Sequence, residues 1–219
     1  MISVADLLID NRIPGNYFAI DAYVRSDLEL GLLENRRGNR LLAMPETLIQ
    51  AIYSGLDKET GQATGLVLFN CGRWWGKNFY ARFCEEIAEY YKTAVSDMAM
   101  VEFIQCLQQC WIVHGWGKIE LDQTHQHLGF LLVNTWNSPF AAHAPKGNRP
   151  VCHLDAGIFS AFFSQLSNRE LHCVQTDCES LGASCNRFIL GLPDRLRPVE
   201  SWVQDGLSHD EMMQRLAQS

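Results

Sequence analysis

Residues 152–188 read CHLDAGIFSAFF at 152–163, SQLSNRELHC at 164–173, VQTDCESLGASC at 174–185 and NRF at 186–188. The apolar period changes along this stretch. Leu154, Ile158, Phe159, Phe162, Phe163 and Leu166 recur every three or four residues, which puts them on the inward face of a helix over 151–166. The segments 170–178 and 185–192 then read as a terminal hairpin, joined by a turn that contains Gly182. A helix folded onto an antiparallel hairpin gives the fold class, α+β with an antiparallel sheet packed against helices.

Working upstream, Lys118–Gln123 and Leu128–Trp136 read as two more strands, and Ser138-Pro139 caps and opens a short helix. Residues 144–149 form a loop. Met100, Phe103, Ile104, Leu107 and Trp111 stripe a helix that starts at Ser96 or Asp97 and ends near His114, where Gly115 and Gly117 break it. Phe79, Phe83, Ile87 and Tyr90 stripe another helix over 73–91. The run Leu66, Val67, Leu68 and Phe69 reads as a buried strand over 65–70, turned sharply at Gly72. Pro45 opens a helix to about Leu56, and 57–64 is a polar connection. Residues 31–44 alternate around Asn35-Arg36-Arg37-Gly38-Asn39, a hairpin whose arginines make a solvated tip, and 21–30 forms a short helix. Pro193 and Pro198 mark the end of the compact unit. The Ser208–Glu211 capping box, with Leu207 stapled on Met212, begins a short amphipathic tail helix that carries Met213 and Leu216. The organisation is therefore an extension over 1–14, one domain over 15–192 and a helical tail over 193–219.

The composition suits one domain: 219 residues, 47% hydrophobic and 20% charged. A net charge of −7 and acidic flanks around Arg36, Arg37 and Arg40 argue against a nucleic-acid partner, which calls for a basic stripe. The apolar runs are strand-sized, short of the roughly 20 residues that a spanning helix needs. The N-terminus has neither a basic leader nor a long apolar core, so the expected location is the cytoplasm, with peripheral membrane contact left open. In that compartment the eight cysteines are expected as free thiols or metal ligands rather than disulfides.

The order of Cys152, Gly157, Cys178, Gly182, Cys185 and Phe188 resembles the C-terminal signature of the 4-vinyl-reductase, or V4R, domain family. Upstream, the hairpin, PETL at 45–48 and LVLFNCGRWWG at 66–76 fit the same pattern, and the resemblance spans roughly residues 15–192. It implies the ligand-binding fold that V4R domains share with subunits of the TRAPP vesicle-tethering complex. In phenol-sensing relatives the corresponding site holds structural zinc through three Cys and one Glu. Here Cys152, Cys178 and Cys185 match the thiols, while Gln175 stands at the Glu position and the turn from Cys178 to Cys185 is one residue short. Three thiols suit a closed tetrahedral zinc site, but an amide is a poor fourth ligand. Asp177, Glu179, His153 or Cys173 are substitutes, although strict alternation points Asp177 and Cys173 away from Cys178. The competing reading is a set of reduced cysteines that fill core space.

Other clusters carry bland readings beside sharp ones. Cys106 and Cys110, one helical turn apart, read as core packing. His125 and His127 read as surface or turn residues rather than ligands of a metal or tetrapyrrole, and a cationic His114 would complement a helix dipole. Gly72-Arg73-Trp74-Trp75-Gly76-Lys77 resembles an anion-binding helix start, against the simpler view that its glycines let strand and helix meet. It lacks the GxxxxGK[ST] pattern, and no GxSxG, HExxH, kinase or dinucleotide fingerprint is present.

The V4R resemblance implies a non-catalytic binding or assembly factor with an apolar cavity between sheet and helices. The expected lining is Phe79, Phe83, Phe103, Leu107, Trp111, Ile158, Phe159 and Phe162. The segments 13–25, 31–46 and 114–122 look most like cyanobacterial members linked to photosystem II assembly. That resemblance implies a chlorophyll-type tetrapyrrole or other apolar ligand, photosystem assembly partners, a thylakoid-peripheral location and a homodimer. A vinyl reductase acting on a chlorophyll precursor, with a separate reductant, is the enzymatic alternative. A protein–protein scaffold without ligand, using Trp74, Trp75 or Trp202, is the third.

Overall fold

The computed structural model describes residues 15–142 and 149–218. The extension expected over 1–14 and most of the loop expected over 144–149 lie outside the described residues. Helix α1 (Ile20–Tyr23) leads into a small antiparallel sheet of β1 (Arg25–Asp27), β2 (Leu32–Glu34) and β3 (Arg40–Leu41). Helices α2 (Glu46–Thr60), α3 (Thr64–Tyr91) and α4 (Met100–Val113) follow. The main sheet comprises β4 (Lys118–Asp122), β5 (Leu131–Trp136), β6 (His172–Asp177) and β7 (Asn186–Gly191), with α5 (Pro139–Ala142) and α6 (His153–Ser167) between β5 and β6. Its order is β4-β5-β7-β6, antiparallel throughout. Helices α7 (Pro193–Gln204) and α8 (His209–Gln218) complete the chain.

Residues 65–70, expected as a strand, belong to α3, a single helix of 28 residues. A short apolar run has no periodicity of its own that separates strand from buried helix. Here the glycines decide. Gly72 and Gly76 on α3 meet Leu154 and Ile158 of α6, and Gly157 on α6 meets Phe69 of α3. A Cβ at Gly76 would stand 2.6 Å from the Ile158 carbonyl oxygen, and one at Gly72 or Gly157 would collide with the backbone carbonyl opposite. Gly72 thus permits a close helix crossing rather than a turn. Its neighbours Arg73 and Lys77 lie in mid-helix, where backbone N–H groups are already bonded, so the alternative of an anion-binding helix start does not form.

One face of the main sheet packs on α3, α4 and α6 through Val133, Phe188, Leu190 and Cys173. The other face carries Leu132, Val174 and Ile189, which Leu196, Val199, Met212, Met213 and Leu216 of α7 and α8 cover. The segment expected as a tail beyond the compact unit is therefore the second wall of the sheet. The capping box reads as expected: the Glu211 carboxylate accepts from the Ser208 N–H at 2.9 Å. Arg195 crosses this layer, with its guanidinium 4.3 Å from the Phe130 ring centroid and bonded to the Leu128 carbonyl.

The 31–44 hairpin forms, but its arginine tip is docked rather than solvated. Arg37 pairs with Glu85 at 2.9 Å and Glu89 at 3.1 Å on α3. Arg36 donates to the Tyr17 carbonyl at 3.0 Å and lies over the Tyr17 and Tyr90 rings. Residues 21–30, expected as helix, divide between the end of α1 and β1, which gives β2 an edge partner. Among the described residues no helix is long and apolar enough to cross a membrane.

Candidate ligand-binding site

Between the small sheet, α3 and the end of α4 lies a cavity of about 300 Å³. Its walls follow from helical spacing: Trp75, Phe79, Arg82, Phe83 and Glu86 recur on one side of α3, and Cys110 and His114 sit one turn apart at the end of α4. Gly115 and Gly117, both with positive φ, fold the chain back so that Trp116 closes the cavity. That fold is locked by hydrogen bonds of 3.2 Å from the Trp116 N–H to the Trp111 carbonyl and 2.9 Å from Trp111 Nε1 to the Trp116 carbonyl. Tyr23, from α1, and Asn35, from the β2–β3 turn, supply the remaining polar wall.

Glu86 is the polar centre of this site. It is 4% exposed, and its Oε1 accepts a 2.8 Å hydrogen bond from Asn35 Nδ2. Burial pushes its carboxyl up to about 7, against the opposing pull of the Arg37 and Arg82 guanidiniums. His114 Nδ1 lies 2.7 Å from the Cys110 carbonyl, which can only accept, so that nitrogen carries the proton. Nε2 is then free to accept from the Tyr23 hydroxyl at 3.4 Å. Burial lowers the His114 pKa below the usual imidazole value, so the ring is neutral near pH 7. The expected cationic complement to the helix dipole is replaced by a neutral ring stacked on Trp116, with centroids 4.5 Å apart.

The expected cavity lining divides in two. Phe79 and Phe83 face the cavity. Phe103, Leu107, Trp111, Ile158, Phe159 and Phe162 are buried in a filled core. Phe162, for example, packs against Phe79 at 5.3 Å and Phe83 at 5.7 Å, and Trp111 stacks on Phe159 at 5.3 Å. The apolar stripes point as expected, but ring-to-ring packing consumes the space between α4 and α6. Sequence periodicity missed Tyr23, Asn35, Glu86 and Trp116. A signal for one was present: Glu86 falls next to Ile87 on the Phe79–Phe83 stripe, where a carboxylate is out of place on an apolar face.

The thiols behave differently. Cys152, at the start of α6, and Cys178, after β6, bring their sulfurs to 3.8 Å. With Zn–S bonds of about 2.3 Å, that separation matches an edge of a zinc tetrahedron. Gln175 does not complete such a site. Its carbonyl oxygen accepts from the Cys152 N–H at 2.8 Å, and its amide nitrogen donates to the Asp177 carbonyl at 3.0 Å. Glu179 is bound to the Asn186 amide at 2.7 Å and to the Asn137 N–H at 3.0 Å. Cys185 is buried, and among the described residues no group of three or more His, Cys, Asp or Glu side chains is arranged around one metal position. The residues present thus offer a thiol pair rather than a closed donor set. A register shift between Gln175 and Asp177 resets the alternation, so Cys173 and Cys178 both face the helix-side core instead of opposite faces.

Cys106 and Cys110 are buried core residues, as the packing reading expects. His125 and His127 lie in the turn between β4 and β5, outside the cavity lining. A second, more open groove of about 610 Å³ runs along Leu66, Phe69, His153 and Val203, with the His172–Glu200 pair at 2.8 Å on its wall.

Comparison with known proteins follows the same outline. A protein of Methanocaldococcus jannaschii, itself uncharacterized, is 21% identical over 175 residues, covering 79% of this chain and 91% of that protein. The phenol-responsive sensory domain of the transcription activator PoxR, solved with phenol, superposes with a TM-score of 0.64 at 11% identity, covering 84% of this chain and 92% of that one. Trafficking protein particle complex subunit 3 from Naegleria fowleri, solved covalently bound to palmitic acid, superposes with a TM-score of 0.50 at 10% identity, covering 67% and 94%. At such identities these structures show a shared fold. The family model of the V4R domain matches residues 132–192, from β5 through α6 to the end of β7.

Proposed function

We propose that the chain is a non-catalytic binding module that holds a small, largely apolar molecule in the cavity between the small sheet, α3 and α4. One observation carries this reading: an aromatic-walled cavity of about 300 Å³ encloses a single buried carboxylate, Glu86, beside a neutral histidine. Apolar walls with a few convergent polar groups are the general pattern of small-molecule sites. The solved neighbours that share the fold were captured with phenol and with palmitic acid, which supports an apolar ligand class here.

The finer reading is a role in photosystem II or pigment–protein assembly, as a homodimer at the thylakoid surface, with a tetrapyrrole as cargo. It rests on the resemblance of the segments 13–25, 31–46 and 114–122. Volume weighs against a tetrapyrrole as the cavity stands, since about 300 Å³ is the low end for ligand sites and suits one or two rings rather than four. Titration with single-ring aromatics and with chlorophyllide, followed by tryptophan fluorescence, tests both levels. Saturable one-to-one binding of single-ring compounds supports the module. Binding of chlorophyllide alone supports the finer cargo. Flat titrations with both sets contradict the proposal.

A further inference from the structure

The cavity combines two features that together select a charge type. Its walls present six aromatic side chains, Tyr23, Trp74, Trp75, Phe79, Phe83 and Trp116. Its floor presents Glu86, a carboxylate with neutral hydrogen-bond partners, the Asn35 amide and the Tyr23 hydroxyl, and no ion pair among the described residues. Buried charges are ordinarily paired, and a lone buried carboxylate is costly to ionise.

The nearby cations do not fill that role. Arg37 is committed to Glu85 and Glu89, and Arg82 is exposed at the cavity mouth, where solvent screens it. Burial holds His114 neutral, outweighing the opposite pull of its hydrogen bond to the Cys110 carbonyl. A neutral ligand would leave Glu86 without a counter-charge. A phenolate or fatty acid anion would add a second negative charge beside it.

We propose that the cavity takes an organic cation, a quaternary or tertiary ammonium group, seated against the faces of Trp75, Phe79 and Trp116 with Glu86 as its counter-charge. Ring faces attract such cations through their quadrupoles, and a desolvated cation gains most. The Asn35 amide holds the carboxylate in place, and the ligand's charge pairs with it electrostatically. This inference rests on the reading of the cavity as a ligand site and names the class of molecule that site accepts.

The test is calorimetric titration of the full chain at pH 8 with choline, with its uncharged isostere 3,3-dimethylbutan-1-ol, and with phenol. The expected result is choline binding at least about tenfold tighter than the isostere. In Glu86→Gln, which keeps an acceptor for Asn35, that preference should vanish. If the variant does not fold, the choline-to-isostere ratio of the unaltered chain decides alone. Equal or weaker binding of choline overturns the inference and leaves the ligand site standing. No binding of any of the three probes overturns the inference and the proposed function together.

Discussion

Asn35, on the turn between β2 and β3, donates a 2.8 Å hydrogen bond to Oε1 of Glu86 on α3, and this contact ties the small sheet to the cavity floor. The same side chain's oxygen accepts from the N–H groups of Arg37 at 3.0 Å and Asn39 at 2.9 Å, so one residue shapes the turn and anchors the carboxyl. Asn35→Ala leaves Glu86 without its donor and the turn without its acceptor. A loss of about 1–3 kcal/mol in urea unfolding is expected, the usual cost of stranding a buried polar group. Unchanged stability would show that the contact contributes nothing.

Glu86 also sets a pH dependence. Its folded pKa, about 7, lies above the ordinary carboxylate value, so the native state keeps a proton that the unfolded chain releases. Stability attributable to Glu86 is therefore full below about pH 4.5 and declines as pH rises to about 7, then levels off. Asp155, also raised to about 7 by burial, adds a parallel decline. His114, His153 and His209, lowered by burial, act oppositely, withdrawing stability as pH falls below the ordinary imidazole value. The difference between Glu86→Gln and the unaltered chain isolates the glutamate. It should grow in the variant's favour from pH 4.5 to 7 by about 1–3 kcal/mol. A flat difference would mean that Glu86 titrates normally.

The helix crossing gives a sharper steric prediction. Gly72→Ala or Gly157→Ala drives a methyl into the backbone of the opposite helix, which cannot yield as a side chain tip can. Each should destabilise by about 1–3 kcal/mol or more, as overpacking does. Gly55→Ala on α2 is the control, because a Cβ there meets open space, and it should stabilise by about 0.5–1 kcal/mol. Thermal melts that rank all three alike would contradict the close crossing.

For the thiol pair, the substitution of interest is Gln175→Glu. A carboxylate is a competent zinc ligand and an amide is not. With Cys152 and Cys178 already 3.8 Å apart, the variant should retain more zinc per chain than the unaltered protein when both are dialysed and measured by mass spectrometry. Equal zinc in both would show that position 175 does not govern metal binding.

The sequence made the terminal helix and hairpin legible because their periods, 3.6 and 2, are sustained over whole elements. It was less informative where two structures share one local pattern. Leu66–Phe69 suits strand or helix equally, and only the distant partner Gly157 selects helix. Phe103 and Phe159 were correctly turned inward, yet an apolar stripe does not distinguish a filled core from a cavity wall. Cys152 and Cys178 meet, as the V4R resemblance implies, while the bulge that redirects Cys178 arises from pairing with β7 and has no local signature. The cavity's polar set comes from four separate segments, so no single stretch announces it.

The most direct test of the ligand site is an NMR titration of the tryptophan indole N–H signals with a single-ring aromatic probe. Trp75 and Trp116 line the cavity, and Trp202 packs on the far side of the sheet. Saturable shifts of the Trp75 and Trp116 signals with Trp202 unmoved are the predicted result. Shifts confined to Trp202, or no shifts at all, would contradict it.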